Sequence, residues 1–174
     1  MNKTVHGVVR TDNMYGTDVR AGLVSIRYYD NNEFADIDNG CVLKVGALEG
    51  DANIGYEREI FKGTAPAAND ALKDVVLIAS PEVMYDERLR GLTDFYNVAG
   101  KACRGYRFHS GDIFSVTKTV LDGKETPAVG DIVELKAGIK MNVAASATSG
   151  STQVGKIIAV DVVGQITYYA IQVG

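Results

Sequence analysis

Residues 129–173 constrain the fold of this chain more than any other stretch, because short apolar runs and glycines follow one another there. Apolar and polar residues alternate around Ile132 and again over residues 157–163 and 166–173. Glycine interrupts the stretch at Gly130, Gly138, Gly150, Gly155 and Gly164. β-Branched residues favour strands, and glycine permits the backbone angles of tight turns. The pattern predicts short β-strands joined by tight turns.

A glycine-opened pattern recurs along the chain. Residues 130–138 read G-D-I-V-E-L-K-A-G, residues 111–116 read G-D-I-F-S-V, and residues 40–46 read G-C-V-L-K-V-G. Strands of one type that recur in this way are typical of a meander that closes on itself. The chain has 174 residues, of which 46% are hydrophobic, which is enough to bury one core. We therefore expect a mainly β fold, a small antiparallel β-barrel or β-sandwich with an N-terminal arm and one or two short helices.

The remaining elements are predicted from local composition. Strands are expected at residues 23–29, 41–45, 58–61, 75–80 and 113–120, with a turn at residues 30–32. Residues 66–73 begin with proline and contain helix-forming residues, so we expect at most a short helix there. Residues 81–96 have apolar side chains at helical spacing, weakened by Gly91, and fit a single-turn helix or a structured loop as well as a full helix.

The chain divides on composition into residues 1–22, an N-terminal arm, and residues 23–174, a single β-rich domain with a central insert at about residues 65–96. The arm is polar, with scattered apolar and arginine side chains, as in a segment laid on a neighbouring surface. Its candidate contact residues are Val8, Val9, Arg10, Met14, Tyr15 and Arg20. The alternative is a terminus packed on its own domain.

The charge and hydropathy of the chain bear on its partners. The formal net charge is −4, which gives no general attraction for nucleic acid. The local basic residues Lys101, Arg104 and Arg107 fit a solvated strand face, or a patch that meets an acidic protein. No run of 18 apolar residues and no apolar signal core occur, so we expect a soluble protein made in the cytosol, without a membrane partner.

Candidate chemical groups are few. His109, Ser110 and Asp112 lie too close in sequence to adopt the geometry of a catalytic triad. The acidic residues 30–40 do not match the ligand spacing of a calcium loop. With two cysteines and two histidines, a zinc site is not expected, and Cys41 and Cys103 are predicted to be free buried thiols. We expect no catalytic residues, no cofactor and no metal; an enzyme would need Cys103, His109 and Asp112 to share a pocket.

The C-terminal pattern resembles a known family. Residues 130–138, the small polar run A-A-S-A-T-S-G-S-T, V-G-K-I-I-A-V-D and the final strand Y-Y-A-I-Q-V are similar to the β-rich capsid decoration (cement) and head-fibre proteins of tailed bacteriophages. The resemblance implies a virion protein, made in the host cytoplasm, that docks on the capsid exterior and stiffens it. It implies the major capsid protein as partner, and a homo-oligomer, often a trimer.

Two other classes of function fit the same composition. A phage tail or baseplate structural protein shares the β-rich sequence and differs in forming rings or tubes by itself. A carbohydrate-binding β module needs exposed aromatic side chains, which the 9 tyrosines would have to supply because the chain has no tryptophan.

Overall fold

The structure is a computed structural model that describes residues 5–14, 22–50, 59–84, 86 and 91–174. The described chain contains thirteen β-strands and short 3₁₀ turns at Leu72–Asp74, Leu92–Asp94 and Lys118–Val120, and no α-helix. The strands are β1 (Val9–Asn13), β2 (Leu23–Asp30), β3 (Glu33–Phe34), β4 (Val42–Leu48), β5 (Phe61–Thr64), β6 (Val75–Ile78), β7 (Cys103–Arg107), β8 (Ile113–Thr117), β9 (Leu121–Gly123), β10 (Ile132–Glu134), β11 (Met141–Ala144), β12 (Gln153–Val163) and β13 (Ile166–Val173). The predicted mainly β fold is confirmed.

Five strands close into a barrel in the order β2, β5, β4, β6 and β7, with β7 paired back to β2. The pairing of β2 with β5 is parallel, and the other four pairings are antiparallel. The sequence pattern predicts antiparallel pairing alone. A closed ring with an odd number of strands cannot alternate direction all the way round, so at least one parallel pair follows from closure.

β3 extends the barrel sheet through a tight turn. Its residues pair with the end of β2, with Asp30 opposite Glu33 and Tyr29 opposite Phe34. The two turn residues, Asn31 and Asn32, have φ angles of 49° and 67°. Positive φ at both central residues is the geometry that two-residue hairpins favour. The predicted turn at residues 30–32 is confirmed, and the acidic stretch begins as a hairpin.

The second sheet covers the barrel. Its strand order is β1, β8, β13, β12, β10, β11 and β9, and it curves as a half-barrel. Phe114 of β8 and Ile171 of β13 belong to the same hydrophobic core as Ile26 and Leu43 of the barrel. The predicted meander does not form, because β8 and β10 are separated in this sheet by β13 and β12.

The glycine-opened pattern marks a turn that starts a strand. Gly40, Gly111 and Gly130 have φ angles of 87°, 91° and 94°, and β4, β8 and β10 begin two residues later. In each turn the residue after glycine donates its N–H to the carbonyl three residues earlier: Cys41 to Asp38 at 3.4 Å, Asp112 to His109 at 3.0 Å and Asp131 to Ala128 at 3.1 Å. Glycine at the third position with positive φ is typical of a type II turn.

The N-terminal segment is part of the fold. β1 pairs antiparallel with β8, with Val9 opposite Val116. Val8, Val9 and Met14 are buried. β1 is therefore an edge strand of the second sheet, and the buried residues of this segment pack on the chain's own domain, which is the alternative that the sequence left open for the arm. The physical reason is that apolar side chains are stabilised more by the core than by water. Residues 1–4 and 15–21 lie outside the described part of the chain.

The central segment also differs from expectation. The four residues of β6 are fully buried, and β6 lies between β4 and β7 in the barrel, so this part of residues 65–96 is no insert. In the described residues, single 3₁₀ turns lie at Leu72–Asp74 and Leu92–Asp94, which agrees with the expectation of at most short or single-turn helices; residues 85 and 87–90 lie outside the described part of the chain. Short helices are marginal without extensive packing.

Cys41 and Cys103 are free and buried, as predicted. Burial raises the pKa of Cys41 to about 12 and that of Cys103 to about 11. Both thiols therefore stay protonated near neutral pH, and the thiolate is the reactive form.

Candidate protein-binding surface

The longest strand pair projects beyond its neighbours. β12 and β13 pair from Gly155 opposite Val173 to Val163 opposite Ile166. β10 follows β12 only as far as Lys156, and β8 follows β13 only as far as Tyr168. Residues 158–167, which we call the distal hairpin, thus extend past both flanking strands. No described strand pairs with the outer edge of β12 over residues 158–163.

The distal hairpin exposes β-branched side chains. Val160 lies opposite Tyr169, which belongs to the core, and Val162 lies opposite Thr167. The face of the ladder that packs into the core thus continues outward as an uncovered apolar stripe. We call Val160 and Val162 the edge stripe, and their exposed fractions are 38% and 70%. Ile158, the extra residue at the register shift, has no partner on β13 and is 41% exposed. Val163, at the tip, is 58% exposed.

This edge has less protection by charge against pairing with another chain than the edge at β1 has. Natural edge strands are commonly kept short or carry charged residues, which discourage addition of a further strand. The other long edge of the sheet, β1, carries Arg10 and Asp12, whereas residues 158–163 contain Asp161 as their one charge. A free, apolar strand edge of six residues is the geometry to which an extended segment of another protein adds.

Local sequence explains the shape of the hairpin. Gly164, with a φ of 65°, and Gln165 form a two-residue loop between Val163 and Ile166. Glycine at the first loop position suits such a turn. The register shifts between Ile157 and Ala159, at the point where β10 stops pairing with β12. A bulge bends and twists a strand, so we expect β12 to bend at this shift.

The base of the hairpin is fixed by a buried carboxylate. Glu134 is 1% exposed and accepts hydrogen bonds from Asn142 Nδ2 at 2.8 Å, Thr148 N at 2.9 Å and Thr148 Oγ1 at 2.6 Å. These bonds tie the small polar run before β12 to β10. Sequence analysis did not single out Glu134 and missed its role. No local signal marks it, because its partners lie 8 and 14 residues away.

Burial by itself raises the pKa of Glu134, but the hydrogen bonds from Thr148 and Asn142 outweigh burial and lower the pKa below its usual value. The hydrogen bond from Lys124, followed by the one from the Ala128 N–H, lowers the pKa of Asp131. A carboxylate with a lowered pKa in the folded state stabilises the fold above its unfolded pKa. That stabilisation is lost as the pH falls through the folded pKa.

We expect Glu134→Gln to lower the free energy of unfolding at pH 7 by about 2 kcal/mol. The glutamine NH₂ group is a hydrogen-bond donor, so at its position it cannot accept the hydrogen bond that a carboxylate oxygen accepts in the wild type. We also expect the variant to lose less stability than the wild type as the pH falls below about 4.5. Denaturant unfolding between about pH 3 and pH 7 measures both effects. The control is Glu125→Gln, at an exposed glutamate. Equal stability and equal pH slopes for both variants would contradict the prediction.

The six predicted contact residues differ in their exposure to solvent in the structure. Val8, Val9 and Met14 are buried in the chain's own core, so their assignment to a partner surface is corrected. Arg10 is exposed, and its guanidinium carbon lies 5.5 Å from the ring centroid of Tyr168. Tyr168 directly follows the last residue of the distal hairpin. Tyr15 and Arg20 lie outside the described residues. Arg10 thus remains a contact prediction.

Of the candidate catalytic residues, His109 and Asp112 lie together, with 3.6 Å between His109 Nδ1 and Asp112 Oδ2, whereas Cys103 lies apart from them. His109, Ser110 and Asp112 line one depression, with a volume of about 480 Å³. Asp112 Oδ2 accepts the His109 N–H at 2.9 Å and so closes the turn before β8. Cys103 lines a different groove of about 800 Å³, together with Lys101 and Arg104. Within the described residues there is no group of three or more histidine, cysteine or acidic side chains placed to hold a metal ion.

In the described part of the chain, no helix has the length and apolar character needed to cross a bilayer. Comparison of the chain with family models of protein sequences, with curated proteins and with solved structures found no match.

Proposed function

We propose that this chain is a structural virion protein that binds the outer surface of a phage capsid and stabilises it. The observation that carries the proposal is the distal hairpin: the segment that resembles decoration proteins forms a projecting strand pair with a free edge and an exposed apolar stripe. Such a surface supports a role in protein binding. The localisation that follows is the capsid exterior, with the major capsid protein as partner.

The physical basis of this role is strand addition repeated over many copies. Unpaired backbone groups at the β12 edge hydrogen-bond an extended segment, and the edge stripe supplies apolar contact. Full burial of one valine contributes about 1.5 to 3 kcal/mol. One such contact is modest, but contacts repeated over a capsid lattice act together through high effective concentration. A decoration protein on this basis needs no catalytic group.

A phage tail or baseplate structural protein would bind its partners through the same edge. Assembly of the purified protein into rings or tubes by itself would distinguish this function from capsid decoration. The carbohydrate-binding reading has less support, since none of the six described tyrosines is exposed. Tyr28, Tyr106, Tyr168 and Tyr169 are buried, and Tyr29 and Tyr96 are half-buried. An extended aromatic platform for a sugar is therefore not formed by the described tyrosines.

We expect the purified protein to co-sediment with its phage's capsids, stripped of this protein beforehand, at a fixed ratio to the major capsid protein. We expect Val162→Lys to weaken this binding by about tenfold or more, because it removes apolar contact and places a charge on the edge. The matched control is Val129→Lys, since Val129 is 63% exposed and lies outside the hairpin.

Two outcomes would contradict the proposal at different points. If the wild-type protein does not bind capsids at any concentration, the decoration role is wrong. If Val162→Lys and Val129→Lys bind as tightly as the wild type, the protein binds capsids through another surface, and the assignment of the distal hairpin is wrong.

A further inference from the structure

We propose that a groove beside strands β2 and β7 binds a small amphipathic carboxylate, with the anionic group at Arg104 and the apolar part along the groove. We call it the barrel groove, and its volume is about 800 Å³. Ligand sites commonly have volumes of about 300 to 1,000 Å³ and are mostly apolar, with a few polar groups that fix the ligand's orientation. The groove lies on the barrel and the distal hairpin on the second sheet, so this site does not rest on the proposed capsid contact.

Apolar side chains form the walls of the barrel groove. Val83 and Met84 come from the segment after β6, and Phe95 and Val98 come from the segment before β7. Phe95 is buried, whereas Val83 and Val98 are 66% and 41% exposed. An apolar ligand that enters the groove removes these exposed side chains from water, which is favourable. The walls therefore favour a ligand with an alkyl or aryl part over a purely polar one.

The charge of the groove is opposite to that of the whole protein. Two cations, Lys101 and Arg104, line it. Within the described residues, no hydrogen bond or ion pair engages the Lys101 ammonium or the Arg104 guanidinium. Asp86 is the one carboxylate of the described lining, which thus carries a net charge of +1, whereas the chain carries −4. The local charge favours an anion, and a single net positive charge suits a monoanion such as a carboxylate better than a dianion.

Arg104 is placed to bind the carboxylate group. Ser25 lies directly opposite Arg104 in the antiparallel pair of β2 and β7, and both residues are exposed. Directly opposite residues lie on the same face of a sheet, with Cβ atoms about 4.5 to 5.5 Å apart. The guanidinium fork matches the two oxygens of a carboxylate, and the Ser25 hydroxyl supplies a further donor beside it.

A small ligand suits this groove better than an extended protein segment does. β7 pairs with β2 on one side and with β6 on the other, so the strand that carries Arg104 has no free edge. An extended segment that adds to a sheet gains affinity from main-chain hydrogen bonds to a free edge. Recognition at β7 therefore depends on side chains, as in a site for a small molecule.

Three probes separate the charge of the ligand from its apolar part. We expect decanoate to bind the full chain saturably in isothermal titration calorimetry, with a dissociation constant on the order of 0.1 to 1 mM. Acetate has the carboxylate without the long alkyl chain, and decyltrimethylammonium has the chain with the opposite charge. We expect both to bind at least about tenfold more weakly than decanoate, because each lacks one part of the recognition. Absence of saturable decanoate binding, or equally tight binding of either control probe, overturns the proposal.

Arg104→Gln tests where decanoate binds. We expect this variant to bind decanoate about tenfold more weakly, because hydrogen bonds to a charged group are lost. Its circular dichroism spectrum should equal that of the wild type, since Arg104 is exposed. The control is Lys156→Gln, at an exposed lysine outside the groove. If Arg104→Gln binds decanoate as tightly as the control does, the assignment to the barrel groove is wrong. Capsid binding is measured separately by co-sedimentation, so failure of either proposal leaves the other standing.

Discussion

Gly63→Val is expected to lower the free energy of unfolding by about 3 kcal/mol or to prevent folding, because the barrel interior has no room for a larger side chain. A Cβ atom built on Gly63 would lie 2.8 Å from side-chain carbons of Ile26 and Leu43, closer than real Cβ contacts. Both neighbours are fully buried, and the five-stranded ring around them is closed. Neither side chain can therefore move into open space.

Denaturant unfolding followed by circular dichroism measures this effect. The matched control is Gly50→Val, because the nearest atom to a Cβ at Gly50 is the Leu48 carbonyl oxygen at 4.0 Å. The milder Gly63→Ala should be partly rescued by Ile26→Val, which removes one of the crowded carbons. Coupling between contacting sites is expected to be non-additive. A Gly63→Val protein as stable as the control would show that the barrel is not tightly closed.

Asn39→Ala is expected to lower the free energy of unfolding by about 2 kcal/mol, since it removes the hydrogen-bond partner of the Ser80 N–H and of the Ser80 carbonyl. Asn39 is 1% exposed, and its amide pairs with the backbone of Ser80 in both directions, at 2.9 and 3.0 Å. Asn97 Nδ2 donates to Asn39 Oδ1 at 3.1 Å. The side chain thus fastens the turn before β4 to the end of β6.

Thermal or denaturant unfolding of Asn39→Ala measures the loss, with Asn13→Ala as the control at an exposed asparagine. Hydrogen exchange supplies a local readout. The Gly40 N–H, which donates to the Ile78 carbonyl at 2.7 Å, should exchange faster in Asn39→Ala than in the control. Unchanged protection at Gly40 together with unchanged stability would contradict the assigned role.

Sequence reasoning succeeded for features that a few consecutive residues determine and failed for features that depend on residues distant in sequence. Strand starts after Gly111 and Gly130 were predictable, because a turn and the alternation behind it are set by a few consecutive residues. The buried thiols followed from composition. The expected short helices are single 3₁₀ turns in the described residues. Proline and helix-forming residues permit a helix, but a stretch of eight residues is not stable without packing.

The chain sequence by itself thus determined a turn-rich β fold and the apolar alternation of residues 157–163. Tertiary structure alone decided that Val8 and Val9 pack in the core, that β6 is a barrel strand and that Glu134 is buried. It also decided that β12 extends beyond the end of β10, which leaves the edge of β12 exposed. The reason is that strand partners are distant in sequence. The entropic cost of closing a loop rises only slowly with loop length. Sequence separation therefore does not decide which strands pair, and the packing of side chains in the common core does.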